Sequence, residues 1–349
     1  DPNRERDLCF GTPDSWIIWK LTEGAHHVSD QSNAGIWGLL ATDGSHLDPA
    51  KLERLRIPAS VLPRIVDSTG PLDAATALPG APVISGVAGD QQSSLIGQGC
   101  VSPGDAKATF GSGGMLDVCT GTERVRFSRR GSAGCFPLVA WRDATSTVWG
   151  VEGVMLSAGT NVEWLVEDLG ILDSAEQSEE VAASVESTEG VTYVPALLGL
   201  GTPRWDYGAR GALLGATRGT TGAHVTRAVL EGVANRGADL LEAARADSGM
   251  AIDRLRIDGG MSTNAVFVQA LADATGVPVE VSPVREATTL GAGFLAGLAT
   301  GTWSGWDDIA ATWAPRATVD PAAEVDRERW ARAVERASGW HEDLSALDF

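Results

Sequence analysis

Three times in this chain a short apolar run stops at glycine, and polar residues follow before an apolar segment resumes. In VISGVAGDQQSSLIGQ the run from Val83 ends at Gly89, and Asp90 and Gln91 come next. Further on, a strand-like Ala106–Phe110 meets Gly111-Ser112-Gly113-Gly114 before a second run from Met115. In Leu255–Asn264 the stop is Gly259-Gly260. An apolar run bounded in this way reads as a buried strand, and glycine at its end frees the backbone to turn and expose amides. Strand ends of this kind, with helical periodicity between them, describe an α/β architecture that receives ligands at the ends of its strands.

The remaining patterning fits that frame. Trp16, Ile17 and Leu21 lie near helical spacing behind Pro13, a residue suited to a first helical turn. A strand is expected over Ile36–Leu40, with Trp37 either in the core or lining a cleft. A short helix and a proline-punctuated connector follow over 49–66, and 71–82 reads as a loop. Helices are expected from about Gln92, from Thr160 after the small-residue turn Ser157-Ala158-Gly159, and over His224–Asp247. Another should be opened by Ser262 or Thr263. The acidic span 167–188 reads as a solvated helical face, Ala287–Thr300 as a small-residue helix that packs closely, and 320–347 as a charged amphipathic helix.

Composition excludes several partners. With 349 residues the chain suits two domains. A net charge of -19 argues against a nucleic-acid or anionic-membrane surface, although a nucleotide can still bind through local amides. Cys9, Cys100, Cys119 and Cys135 show no zinc spacing and read as reduced thiols of a cytoplasmic protein. No apolar run reaches the ~18 residues of a membrane span, and no signal peptide opens the chain. The chain begins DPNRERD, with Asp1 and not Met, so its first residue is expected not to be the natural start.

The polar stops carry the chemistry. A carboxylate at Asp90 can take a proton from a hydroxyl, and the Gln91 amide can bind a second hydroxyl; Asp90 could equally cap the following helix. The amides of the 111–114 turn can wrap a phosphate oxygen with help from Ser112, or the turn can be a plain hairpin. No GxxxxGK[ST] loop occurs, so a bound nucleotide would sit in a different architecture.

Taken together, Gly89-Asp-Gln-Gln, Phe110-Gly-Ser-Gly-Gly and Asp258-Gly-Gly-Met-Ser-x-Asn resemble the FGGY carbohydrate kinases. FGTPDSWIIWKLT, GDAKATFGSG, GLGTPRWDYGARG and VREATTLGAGFLAGLATG match in order, and Gly211 to Glu231 fits the family's C-terminal signature apart from Ala216. The resemblance covers essentially the whole chain. It implies an actin-like ATPase (ribonuclease H-like) fold of two domains hinged about a cleft. Residues 1–99 would be the C-terminal part of the substrate-side domain, and 100–349 the complete nucleotide-side domain. The first portion of the family's N-terminal domain, with its first phosphate loop, is missing. A piece of a longer kinase, inactive alone, is therefore expected.

The resemblance also implies ATP and Mg2+, and phosphorylation of a polyol or sugar hydroxyl. Glycerol, giving glycerol 3-phosphate, is the first candidate; another polyol or a ketose such as xylulose is the alternative. Asp90 resembles the catalytic base and, with Gln91, a substrate contact. Gly111 and Ser112 match the second phosphate loop, and Gly159, Glu163, Gly260 and Asn264 match positions near adenine and ribose. No protein metal ligand is assigned, and a homo-oligomer (dimer or tetramer) is expected. Two departures bear on the substrate. Met115 stands where members acting on glycerol carry phenylalanine, and Asn33-Ala34-Gly35 where they carry Ser-Arg-Thr. A reading of another class is a non-catalytic ATP-binding fragment. The missing first phosphate loop favours it and Asp90 beside Gln91 opposes it.

Overall fold

A computed structural model describes residues 8–127 and 129–347; the opening DPNRERD run lies outside the described residues. The first part of the chain runs α1 (Pro13–Leu21), β1 (Val28–Asp30), α2 (Gln31–Gly35), α3 (Pro49–Leu55), β2 (Arg64–Val66), β3 (Thr69–Ala74), β4 (Val83–Gly86) and α4 (Asp90–Gly97). The second part begins β5 (Ala106–Phe110), β6 (Gly114–Gly121), β7 (Phe136–Arg142), β8 (Thr147–Met155), α5 (Thr160–Glu167), α6 (Gln177–Ala183), β9 (Thr192–Val194) and β10 (Ala212–Leu214). It continues through α7 (Gly222–Ser248), β11 (Leu255–Asp258), α8 (Ala265–Thr275), β12 (Val279–Val281), α9 (Ala287–Thr300), α10 (Trp306–Thr312), β13 (Ala317–Val319) and α11 (Arg327–Ala337).

A seven-stranded sheet in the order β13-β12-β11-β5-β6-β8-β7 organises the second part. β12, β11 and β5 are parallel, and the other neighbours are antiparallel. Side chains alternate across it. Phe110, Leu116, Val118, Val151 and Ile257 enter one core with Leu240 and Leu241 of α7 and Phe267 of α8. On the opposite face, Cys119 and Trp141 pack with Leu95 and Ile96 of α4 and Phe294 and Leu295 of α9. The sheet is thus covered on both sides, as an α/β reading requires.

Helices α4 and α9 cross at backbone contact. A Cβ on Gly291 would lie 1.8 Å from the Ser93 carbonyl oxygen, so only glycine fits there. The Ser93 hydroxyl donates to the Thr288 carbonyl at 2.6 Å across the same crossing. The close packing expected of the small-residue helix is found, and it ties the helix carrying Asp90 to the second part of the chain.

Several expectations are corrected. Ile36–Leu40 is a turn in which only Leu40 makes a bridge, to Leu47. Asp30 caps α2 through the backbone N–H groups of Ser32 and Asn33 and starts a helix just before that segment. Trp37 is half-buried, edge-on to Phe10, beside the small cluster of Leu39, Leu52 and Leu62: the core reading. Part of the expected 71–82 loop is strand, because β3 pairs with β4. The charged tail is helical only over α11 and a turn at Glu342–Ser345. Helix α4 begins at Asp90, two residues earlier than read, and its N-cap is Gly89, so Asp90 is not the cap.

Candidate active site

The turn after β5 is braced from behind. Gly159 N–H donates to the Gly111 carbonyl and Ala158 N–H to the Ser112 carbonyl, each at 2.8 Å. The Thr160 hydroxyl adds a bond to the Ser112 carbonyl at 3.2 Å. Carbonyls of the turn are thus spent on the start of α5. Among the described residues no backbone carbonyl takes the amides of Gly111, Ser112 or Gly113, the arrangement an anion needs.

A cavity of about 540 Å³ opens beside this turn, and Gly111, Ser112, Gly159, Glu163, Gly260 and Asn264 all line it. The structure therefore brings together every residue that the sequence put forward for a nucleotide. Ser178 and Glu179 of α6, with Glu176 just before it, also line the cavity, so part of the acidic span faces a site and not only solvent. Asn264, not Ser262 or Thr263, caps α8: its Oδ1 accepts from Phe267 N–H at 2.9 Å while its Nδ2 donates to Ser178 Oγ at 3.0 Å. Arg285 is a further lining residue that the sequence reading passed over.

Asp90 and Gln91 stand apart from that cavity, on the first turn of α4. Asp90 is exposed at the N-terminal end of α4. A buried relay sets its position. Gly89 N–H donates to Ser32 Oγ at 2.8 Å, and Ser32 Oγ donates to Asp30. Asp30 also accepts from Ser68 Oγ and Asn33 Nδ2. Burial pushes the Asp30 carboxyl up, and these hydrogen bonds pull against it.

Gln91 leads to a second buried network. Its Oε1 accepts from Lys107 Nζ at 2.6 Å, and Lys107 pairs with Asp117 at 2.7 Å, both side chains being fully buried. The alternation that sends Ala106 and Ala108 into the α7 core sends Lys107 to the α4 face. Register does the rest: Lys107 lies opposite Asp117, and Asp117 opposite Glu152. Burial, with the charges of Asp117 and Asp90 nearby, raises the Glu152 carboxyl to about 8. Lys107 was legible as the one charge in β5, yet nothing local in AKATF says what it meets.

That raised carboxyl has a measurable consequence. Below its ordinary value of 4.5 Glu152 is protonated whether folded or not; between 4.5 and about 8 only the folded chain keeps the proton. Folding stability therefore falls as pH rises through that window and levels off above it. Glu152→Gln, which cannot ionise, is expected to gain in melting temperature over the parent across the same window. Thermal melts at several pH values check this, and a pH-independent gap would refute it.

Two structural links join the Asp90 turn to the cavity. β5 carries Lys107 and ends at Phe110, just before Gly111, which is four residues from Lys107, a span of roughly 13 Å at strand rise. Asp258, at the end of β11 and just before the Gly259-Gly260 turn, accepts from Ser94 Oγ of α4 at 3.2 Å. Its other oxygen is buried without a partner among the described residues. Among those residues no three acidic, histidine or cysteine groups gather as a metal site, and no helix is long and apolar enough to cross a membrane.

Family profiles match most of the chain. The FGGY family of carbohydrate kinases, N-terminal domain, matches residues 2–97, and its C-terminal domain matches 106–300. The chain belongs to the FGGY family of carbohydrate kinases. A glycerol kinase of Aromatoleum aromaticum is 42% identical over 344 residues, covering 97% of this chain and 68% of that protein. One of Symbiobacterium thermophilum is 44% identical over 341 residues, covering 95% and 68%. The Plasmodium falciparum glycerol kinase, solved with ADP, superposes with a TM-score of 0.84 at 30% identity over 97% of this chain and 67% of that one. A xylulose kinase from Brucella ovis superposes at 0.81 with 24% identity over 99% and 72%, a likeness of fold alone. The chain is thus an ATP-dependent carbohydrate kinase of the actin-like fold, and it spans about two thirds of these FGGY relatives.

Proposed function

We propose that this kinase transfers the γ-phosphoryl group of ATP to glycerol, giving glycerol 3-phosphate. Identity of 42 to 44% with glycerol kinases over nearly the whole chain carries the reading. Asp90 accepts the proton of the attacking hydroxyl as the new P–O bond forms and ADP leaves, and Gln91 holds a second hydroxyl. Gly111 and Ser112 receive phosphate oxygens through free amides; Gly159, Glu163, Gly260 and Asn264 border the nucleoside. Magnesium, expected together with the nucleotide, would supply neutralisation of phosphate charge.

The domain reading is kept: 1–99 on the substrate side and 100–349 on the nucleotide side, supported by family matches that end at 97 and resume at 106. A reducing, cytoplasmic setting is supported by four free cysteines, three of them buried. A homo-oligomer remains the proposal for the complete protein.

A second reading, another polyol or a ketose, rests on one observation. Both departures from the glycerol pattern adjoin the site: a Cβ on Gly89 would lie 3.7 Å from Asn33 Oδ1, and Met115 pairs with Thr109, which takes a bond from Lys107. A coupled ADP-release assay with Mg-ATP over glycerol, other polyols and ketoses separates the readings. It is run on the complete kinase carrying this chain, and the chain alone is expected to show no turnover. Turnover with glycerol alone supports the proposal, and preference for a ketose overturns the substrate. ADP binding without any turnover selects the non-catalytic reading.

A further inference from the structure

We propose that Lys107, clamped by Asp117, is a positioning residue that sets which end of the Gln91 amide faces the substrate. This rests on the reading of Gln91 as a substrate contact. An ammonium has three hydrogens to donate and no lone pair to offer, so the Gln91 atom that it meets at 2.6 Å must be the carbonyl oxygen. The NH2 group is thereby turned the other way, and it has no protein partner among the described residues. Without Lys107 the amide could present either end, because the two are nearly the same size.

The geometry around Lys107 suits that task. The Lys107 side chain is fully buried: its ammonium donates to Gln91 Oε1 and to Thr109 Oγ1 at 3.1 Å, and it is held by the charge of Asp117, whose Oδ2 lies 2.7 Å away. Asp117 is itself fully buried and fixed by strand register directly opposite. The ammonium therefore has no freedom to leave Gln91. Arg256, the next residue in the same cross-strand row, holds the other end of the helix by donating to the Gln98 carbonyl at 2.6 Å. Helix α4 is gripped from the sheet at both ends, with a cation at its C-terminus where the dipole favours one.

The chemical result is a complementary pair on consecutive residues. Asp90 offers only acceptors and Gln91, so held, offers only donors. Together they read a hydroxyl that gives a proton beside an oxygen that takes a hydrogen bond, as adjacent carbons of a polyol provide.

The test is the neutral pair Lys107→Met with Asp117→Leu in the complete kinase, which removes both charges and so leaves no buried ion unpaired. The expected result is an ADP Kd unchanged, a kcat within about threefold and a polyol KM raised at least about tenfold, roughly as much as in Gln91→Leu. The combination with Gln91→Leu should add nothing further. If Gln91→Leu raises KM and the neutral pair does not, the positioning role of Lys107 is wrong. If Gln91→Leu itself leaves KM unaltered, the assignment of Gln91 falls and this inference with it. Should the neutral pair not fold, Lys107→Gln with Asp117→Asn, a neutral polar pair whose amide can present either an acceptor or a donor to Gln91, is judged by the same KM criterion.

Discussion

Asp90→Asn in the complete kinase is expected to lower kcat roughly a thousandfold, within the usual contribution of a general base. ADP affinity should stay within about twofold. Asparagine has the shape of aspartate and still offers an oxygen to the Gln91 N–H, which Asp90 Oδ1 meets at 2.8 Å. It cannot hold the proton that the attacking hydroxyl must lose. The substitution leaves the relay of Asp30, Ser32 and Gly89 intact, because that relay ends on the backbone of the preceding residue. Asp90 is not among the residues that line the cavity. Turnover in the coupled assay and ADP titration by calorimetry give the two numbers. Normal turnover would remove Asp90 from the mechanism; loss of ADP binding would show that the substitution had disturbed more than proton transfer.

Two neighbouring glycines should answer oppositely to substitution. Gly259 has φ +87°, and a Cβ there would lie 2.4 Å from the carbonyl oxygen of Phe110. The ends of β11 and β5 touch at that point, so alanine must pay for a left-handed backbone and also push two strands apart. Gly259→Ala is expected to cost about 3 kcal/mol of stability. At Gly260 a Cβ meets nothing within 4 Å, and the residue lines the cavity. Gly260→Leu should therefore stay within about 0.5 kcal/mol of the parent in stability and bind ADP at least about tenfold more weakly, because its side chain occupies the nucleotide's space. Denaturant melts and ADP titrations of both variants check the contrast. If Gly260→Leu binds ADP normally, the cavity is not the nucleotide site.

Two of the three strand-end junctions were legible because their causes are local: β5 and β11 stop just before Gly111 and Gly259, whereas β4 stops at Gly86, three residues short of Gly89. Gly111, Gly159 and Gly260 all end up around one cavity. The glycine-rich stops themselves pointed to ligands at strand ends, and the family resemblance supplied the residue roles. Ile36–Leu40 misled for the opposite reason. Its apolar pattern was genuine, but Asp30 had already capped a helix upstream, and side-chain capping outweighed a five-residue preference for strand. Asp90 was open between cap and base, and the start of α4 at Asp90 with Gly89 as its N-cap removes the first of these and leaves the second as the proposal.

Taken alone, the sequence determined the α/β alternation, the polar residues placed at strand ends and, through its motifs, the kinase family. Only the tertiary structure decided what Lys107 and Asp258 meet, that Glu179 and Ser178 border the cavity, and that Asn264 rather than Ser262 or Thr263 caps α8. Backbone turns and periodicity are written within a few residues. The partner of a buried charge depends on strand register and helix crossing, set between segments far apart: Lys107 meets Gln91 from another element, and Ser94 reaches Asp258 across 164 positions of chain.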